Sequence, residues 1–265
     1  MVTTASPSAQ TCGSSGLSRF AFVRRFGDLI WRVGVDLGMH TVTIASAALY
    51  FQRFFLAEAE GRFNATRIAT ACVWLASKAR EDGHRLRDIA NAFQAIRGNE
   101  DKGMILQMEE YWALRDEVVA HEQAVLRAMA FDAEPTPAYA FLTEFVWLLN
   151  CESKERGVAS LAWTVLNDAF CSEVCALWPP ARVALACVLL AVELGKRHPQ
   201  LRAEAEKVAS AFNRLSREPK LEEFLGIGPD SGADELEEIC RDLLSVYETD
   251  RTCRHAVNRA AEAGL

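Results

Sequence analysis

The chain has 265 residues, 50% hydrophobic and 25% charged, with a net charge of −7 and a pI near 5.4. That length suits two domains of about 100–150 residues, each able to bury a core. The acidic balance disfavours a grip on nucleic acid through a basic face. The strongest apolar run, Ala181–Leu194, is too short for a membrane core about 30 Å thick.

Residues 1–18 are rich in Ser, Thr, Gly and Ala and read as a disordered tail. From Phe20 the apolar positions Val23, Phe26, Ile30, Val33 and Leu37 recur at steps of three and four, one face of a helix that Gly38 stops. Thr41–Leu56 reads as the second helix. Asn64 then caps a third, Asn64–Glu81, which is apolar nearly all round and so belongs at the centre of a bundle. Leu86–Ile96 is a shorter amphipathic helix, and a loop at 99–103 leads to a long helix, Gln107–Ala130. There Trp112, Val119, Leu126 and Met129 are among the expected apolar positions. Pro135 and Pro137 break the pattern.

The second half restarts at Ala138–Leu149. Helices follow at Glu155–Phe170, Ala181–Leu194 (Pro180 in its first turn), Leu201–Leu215 and Asp234–Tyr247, with a Gly/Pro loop at 226–232. No period-two runs of β-branched residues stand out, so the chain reads as all-α. The two halves can also be laid over each other, and at their central helices the match runs without gaps. Arg67-Ile-Ala-Thr-Ala-Cys72-Val-Trp-Leu75-Ala76 matches Arg182-Val-Ala-Leu-Ala-Cys187-Val-Leu-Leu190-Ala191 at the Arg, three Ala, the Cys, the Val and the Leu. The repeat is unequal where it matters, because Lys78 has Glu193 as its counterpart.

Most of the eight cysteines sit in apolar helical patterns, where a thiol acts as a small hydrophobe. With no secretory pattern in Met1–Gly16, reduced cysteines in an intracellular protein are expected. Cys171 and Cys175 could offer two thiolates to a metal, but no second ligand pair stands nearby. His121-Glu122 lacks the second histidine of a zinc-protease helix. Neither a Gly-rich phosphate loop nor a Ser-centred elbow occurs. No catalytic centre and no cofactor are expected.

Two five-helix units in tandem, with Leu75-Ala76-Ser77-Lys78-Ala79-Arg80-Glu81 ending the third helix, resemble the cyclins. Glu122, Leu126 and Phe131 look like the fifth-helix motif of the same box. Within the family the resemblance is nearest to cyclin M, also called cyclin Q. Gly34–Met39, Leu86–Ile89 and Tyr111–Asp116 carry it, with the transcription-type cyclins K, L, T and C as neighbours. The resemblance implies cyclin boxes at 19–134 and 135–250, with a tail at 251–265.

It further implies a regulatory subunit that binds and allosterically activates a cyclin-dependent protein kinase, in the nucleus or cytoplasm. Lys78 and Glu122 would satisfy a partner loop, beside Leu75, Glu81, Leu126 and Phe131. Taken alone, Lys78 would be a solvated lysine at a helix end, where a cation is favoured anyway. Here Arg80 stands where the family has an acidic residue, and Ala79 is smaller than usual. The first helix, with Phe22-Val-Arg-Arg-Phe26, does not match the docking patch by which cell-cycle cyclins recruit substrates. The alternative is a transcription-factor-like tandem cyclin fold that binds DNA or the transcription machinery. It wants a basic face and usually a zinc ribbon ahead of the repeats, yet the N-terminal tail holds only Cys12. Direct nucleic-acid binding is therefore not expected.

Overall fold

The computed structural model describes residues 14–59, 61–97, 108–133, 138–151, 157–215 and 234–247. Most of the expected N-terminal tail, the loop at 99–103, the proline linker, the loop at 226–232 and the C-terminal tail lie outside the described residues.

Every regular element among the described residues is helical. The first half holds α1 (Ser14–Asp36), α2 (Thr41–Ala57), α3 (Ala65–Ala79), α4 (Leu86–Arg97) and α5 (Met108–Ala128). The second holds α6 (Ala138–Leu148), α7 (Val158–Ala169), a short α8 (Val174–Leu177), α9 (Pro180–Arg197), α10 (Arg202–Leu215) and α11 (234–247). Two details differ from the sequence reading. Helix α1 begins at Ser14, inside the stretch read as a tail, and α8 is a single extra turn ahead of the Trp178-Pro179 break.

Helix α3 is built as its sequence dictates. The Asn64 side chain accepts hydrogen bonds from the amides of Thr66 (3.1 Å) and Arg67 (3.3 Å), satisfying two of the orphan donors at the helix start. The other end closes in a Schellman turn. The Glu81 amide donates to the Lys78 carbonyl at 3.2 Å and the Asp82 amide to the Ser77 carbonyl at 2.9 Å. Between these caps Ile68, Ala69, Ala71, Cys72 and Ala76 are fully buried. Helices α1, α2, α4 and α5 all pack against this axis.

The second half repeats the plan around α9, where Val183, Ala184, Ala186, Cys187 and Ala191 are buried and α6, α7, α8 and α10 pack. The correspondence extends to a polar detail. Arg67, in the first turn of α3, pairs with Glu117 of α5 at 3.0 Å, and Arg182, in the first turn of α9, pairs with Glu235 of α11. The arginine shared by the two aligned segments thus ties the central helix to the fifth helix in both halves.

The halves meet along α1 and α2. Gly27 of α1 lies against the Cys171 backbone so closely that a Cβ there would be 2.9 Å from the Cys171 Cα. Gln52 Nε2 donates to the Phe170 carbonyl at 2.6 Å, and Arg19 pairs with Glu173 at 2.7 Å. Beneath these contacts Phe22, Phe26, Phe51 and Phe55 form an aromatic cluster, with Phe26 stacked on Phe51 at 5.2 Å between centroids. Because Phe51 is 1% exposed and touches three of these rings, its truncation leaves a cavity that rigid neighbours cannot fill. Phe51→Ala is expected to lower unfolding stability by about 3–5 kcal/mol, read by denaturant titration.

Burial also decides the cysteine chemistry. It pushes the Cys171 thiol up to about 12, the Cys151 thiol up to about 11, and those of Cys72, Cys175 and Cys187 upward too. The thiolate is the reactive form, so at pH 8 these side chains are almost wholly inert. Iodoacetamide at pH 8 is expected to leave Cys72, Cys175 and Cys187 unmodified in the native chain and to label them in denaturant, as mass spectrometry of peptides would report. Labelling at equal rates in both states would contradict this.

Candidate functional site

The packing of α3 on α5 brings the sequence-identified pair together. Lys78, in the last turn of α3, donates from Nζ to Glu122 Oε1. Glu122 lies on the buried side of α5, in line with Leu114, Val118, Val125 and Met129. Of the apolar positions named from the sequence, most do not lie on this line. Trp112 is 48% exposed and Val119 and Leu126 are half-buried, so of the four expected positions only Met129 is fully inside. The true inward line carries a carboxylate at its middle, which hid it from an apolar-periodicity count.

Side-chain exposure is 11% for Glu122 and 45% for Lys78. A carboxylate so placed is costly without a cation, and Lys78 supplies one. The ammonium also lies 3.7 Å from the centroid of the Trp74 ring, one helical turn back along α3. Lys78 is therefore held by a carboxylate and an indole while nearly half of it faces solvent.

The neighbouring candidates fall into two groups. Leu75 is 6% exposed and belongs to the core beneath the pair, whereas Leu126 is half-buried. Glu81 and Phe131 project outward. Glu81 is exposed at φ 55°, the left-handed position of the cap that ends α3. Phe131 is 69% exposed at φ 61°, just past a second Schellman turn. There the Ala130 amide donates to the Arg127 carbonyl at 3.1 Å and the Phe131 amide to the Leu126 carbonyl at 2.8 Å. Tyr50 then donates to the Ala133 carbonyl, fixing the chain that follows. A Phe at this exposure contributes little to the core.

Arg80, the departure from the family pattern, turns back onto α2, where its Nε donates to Ser46 Oγ at 3.1 Å. Asp82 accepts from the His40 amide at 2.9 Å and so ties the end of α3 to the α1–α2 turn. Trp74 went unnoticed in sequence, although its spacing of four from Lys78 was the available signal. Among the described residues no group of three or more His, Cys, Asp and Glu side chains is arranged to hold a metal ion. None of the helices described is long and apolar enough to cross a membrane.

Residues 21–134 match the family model described as "Cyclin, N-terminal domain". Cyclin pch1 of Schizosaccharomyces pombe is 30% identical over 167 residues, covering 63% of this chain and 48% of that protein. Human Cyclin-L2 is 29% identical over 167 residues, 62% of this chain and 32% of that one. Human Cyclin-K is 26% identical over 219 residues, covering 82% and 35%. The chain thus spans about half the length of the first relative and about a third of the other two. In fold it is similar to a chain of the yeast RNA Pol II CTD kinase CTDK-1 complex, with a TM-score of 0.58 and 20% identity over 69% of this chain and 57% of that one. It is also similar to a chain of the yeast TFIIK (Kin28/Ccl1/Tfb3) complex, with a TM-score of 0.56 and 16% identity over 84% and 85%. Residues 21–134 are therefore similar to a cyclin N-terminal domain, and the chain that carries them is similar over part of its length to the K-type and L-type cyclins.

Proposed function

We propose that this protein is a regulatory, non-catalytic subunit that binds a cyclin-dependent protein kinase and switches it on. The observation that carries this reading is the Lys78–Glu122 pair, held half-open across α3 and α5 inside the stretch similar to a cyclin N-terminal domain. One ammonium and one carboxylate side by side offer donors and acceptors to the backbone of a partner loop. Leu126 and Phe131 add apolar surface beside them, Phe131 at 69% exposure. The second half has Glu193 in place of the lysine, paired with Lys196. Partner recognition of this kind therefore rests on the first half alone.

The activation follows from population shift. A kinase transfers phosphate only when its own Lys–Glu ion pair and metal-binding Asp are aligned. A subunit that binds the aligned state better than the misaligned one raises its population in proportion to that difference. The boundaries of the two boxes, 19–134 and 135–250, the tails outside them, and a nuclear or cytoplasmic location belong to the same proposal. So does the narrower subtype reading, cyclin M or Q, which rests on Gly34–Met39, Leu86–Ile89 and Tyr111–Asp116.

The test uses the full chain, tagged and recovered with its catalytic subunit. Lys78→Glu and Glu122→Lys each set like charges together and are expected to abolish recovery. The double swap restores the ion pair with reversed polarity, so it is expected to fold like wild type and still fail to bind. Undiminished binding and activation by the folded double variant would sink the assignment.

Glu81 offers a separate readout. A non-glycine residue in the left-handed region costs about 1 kcal/mol. Glu81→Gly is expected to hold or raise the melting temperature while weakening kinase binding several-fold. A variant that gains stability and loses no affinity would remove Glu81 from the contact.

A further inference from the structure

We propose that a second copy of this chain docks on the second half, α10 laid antiparallel against α10, to form a two-fold symmetric dimer. The proposal does not depend on the kinase-binding reading, since none of its residues belongs to the Lys78–Glu122 site. Its basis is a groove of about 750 Å³ between the end of α6 and α10. Leu149 and Val208 line it as buried apolar residues, and Glu206, Ser210 and Arg214 line it from the outward face of α10.

The rim of this groove is apolar. Helix α6 is hydrophobic nearly all round, which suits a helix covered on every side, yet Trp147 is 80% exposed and Leu148 41%. Asn150 lines the groove three residues after Trp147, and its amide donates to the Trp147 carbonyl at 3.0 Å. That spacing sets the indole on the groove side of the helix end.

The charge order of α10 selects the occupant. Glu206, Ser210 and Arg214 recur at steps of four and share one face. Glu206 and Arg214 stand equally far from Ser210, on either side of it. A second α10 that crosses antiparallel at Ser210 therefore sets Glu206 opposite the partner's Arg214 and Arg214 opposite the partner's Glu206. A two-fold interface requires this self-complementarity. The parallel arrangement sets like charges together. The other two charges lining the groove do not oppose the pairing: Lys207 falls opposite Asn213, and Glu204 accepts the Val158 amide at 3.2 Å. Within its own chain Glu206 pairs with Arg202 at 3.1 Å, an exposed pair that contributes little and can be exchanged. Exposed ion pairs are weak, so they set the register while the rim of Trp147 and Leu148 supplies apolar contact. Helix α10 has 14 residues and is about 21 Å long, so the footprint falls below the roughly 800 Å² per partner of a stable complex, and the dimer is transient.

Sedimentation equilibrium of the full chain from about 1 to 300 µM reads the dimer as a mass rising from 29.4 kDa toward twice that value. Arg214→Glu and Glu206→Arg each remove both symmetry-related pairs and set like charges together, and each is expected to raise the dimer Kd about ten-fold. Both positions are exposed, so neither change touches the core. The two changes in one chain exchange the charges and are expected to return Kd to within about three-fold of wild type. Trp147→Ala is expected to weaken the dimer several-fold. A monomer at every concentration would overturn the proposal and leave the groove to a different protein. A dimer whose Kd is unmoved by either charge reversal would overturn it too, by placing the contact elsewhere. So would a double variant as weak as the single ones, because antiparallel pairing of these two residues requires recovery.

Discussion

Close approach to the backbone of α3 is the constraint on which the rest of the structure depends. Ala69, Ala71, Cys72 and Ala76 present little side chain, so four helices can pack directly on this axis. Larger residues at those positions would push α2 and α5 outward and break the registry between them. The same device recurs at Ala184, Ala186, Cys187 and Ala191 of α9. In both halves an arginine in the first turn of the central helix ties it to a glutamate of the fifth, which fixes how far each pair can slide. Architecture and polar registry are thus duplicated together.

What is not duplicated is the far end of that axis. The offset that pairs Glu117 with Glu235 places Cys240 opposite Glu122, and Glu193 already stands opposite Lys78. Cys240 leans its thiol toward the Ala186 carbonyl at 3.8 Å, and Glu193 turns to Lys196 within its own helix. The second half therefore keeps the packing and drops the charge pair. A glutamate whose side chain is 11% exposed on a core-facing line is hard to justify by stability alone, because an apolar residue would fill the place at lower desolvation cost. Its retention at one site of two is the physical argument for a role outside folding.

Backbone conformation points the same way. Of the Schellman turns that end α1 and α3, the first uses Gly38 at φ 69° and the second Glu81 at φ 55°. Glycine is the low-strain choice there, so the glutamate costs stability for a side chain that makes no core contact. Among the described residues, four non-glycine positions take positive φ: Glu81, Ala130 and Phe131 at the ends of α3 and α5, and Asn150, a residue type that tolerates this region, at the end of α6.

Much of this was legible in the sequence by itself. Hydrophobic periodicity, the Asn64 cap and the prolines located the five helices of the first half and five of the six in the second to within a few residues, because those signals are local. The gap-free repeat identified α3 and α9 as equivalent axes, and the LASKARE segment singled out Lys78. The tertiary structure alone decided which face of α5 turns inward. Counting apolar residues favours Trp112 over Leu114, and the buried Glu122 interrupts the stripe that would have corrected the count. It also decided that Leu75 lies under the site, that Phe131 stands out from it, and that Arg80 bends back to Ser46. Each of these depends on contacts between residues more than 30 positions apart or on a left-handed backbone turn, and neither is written in local periodicity.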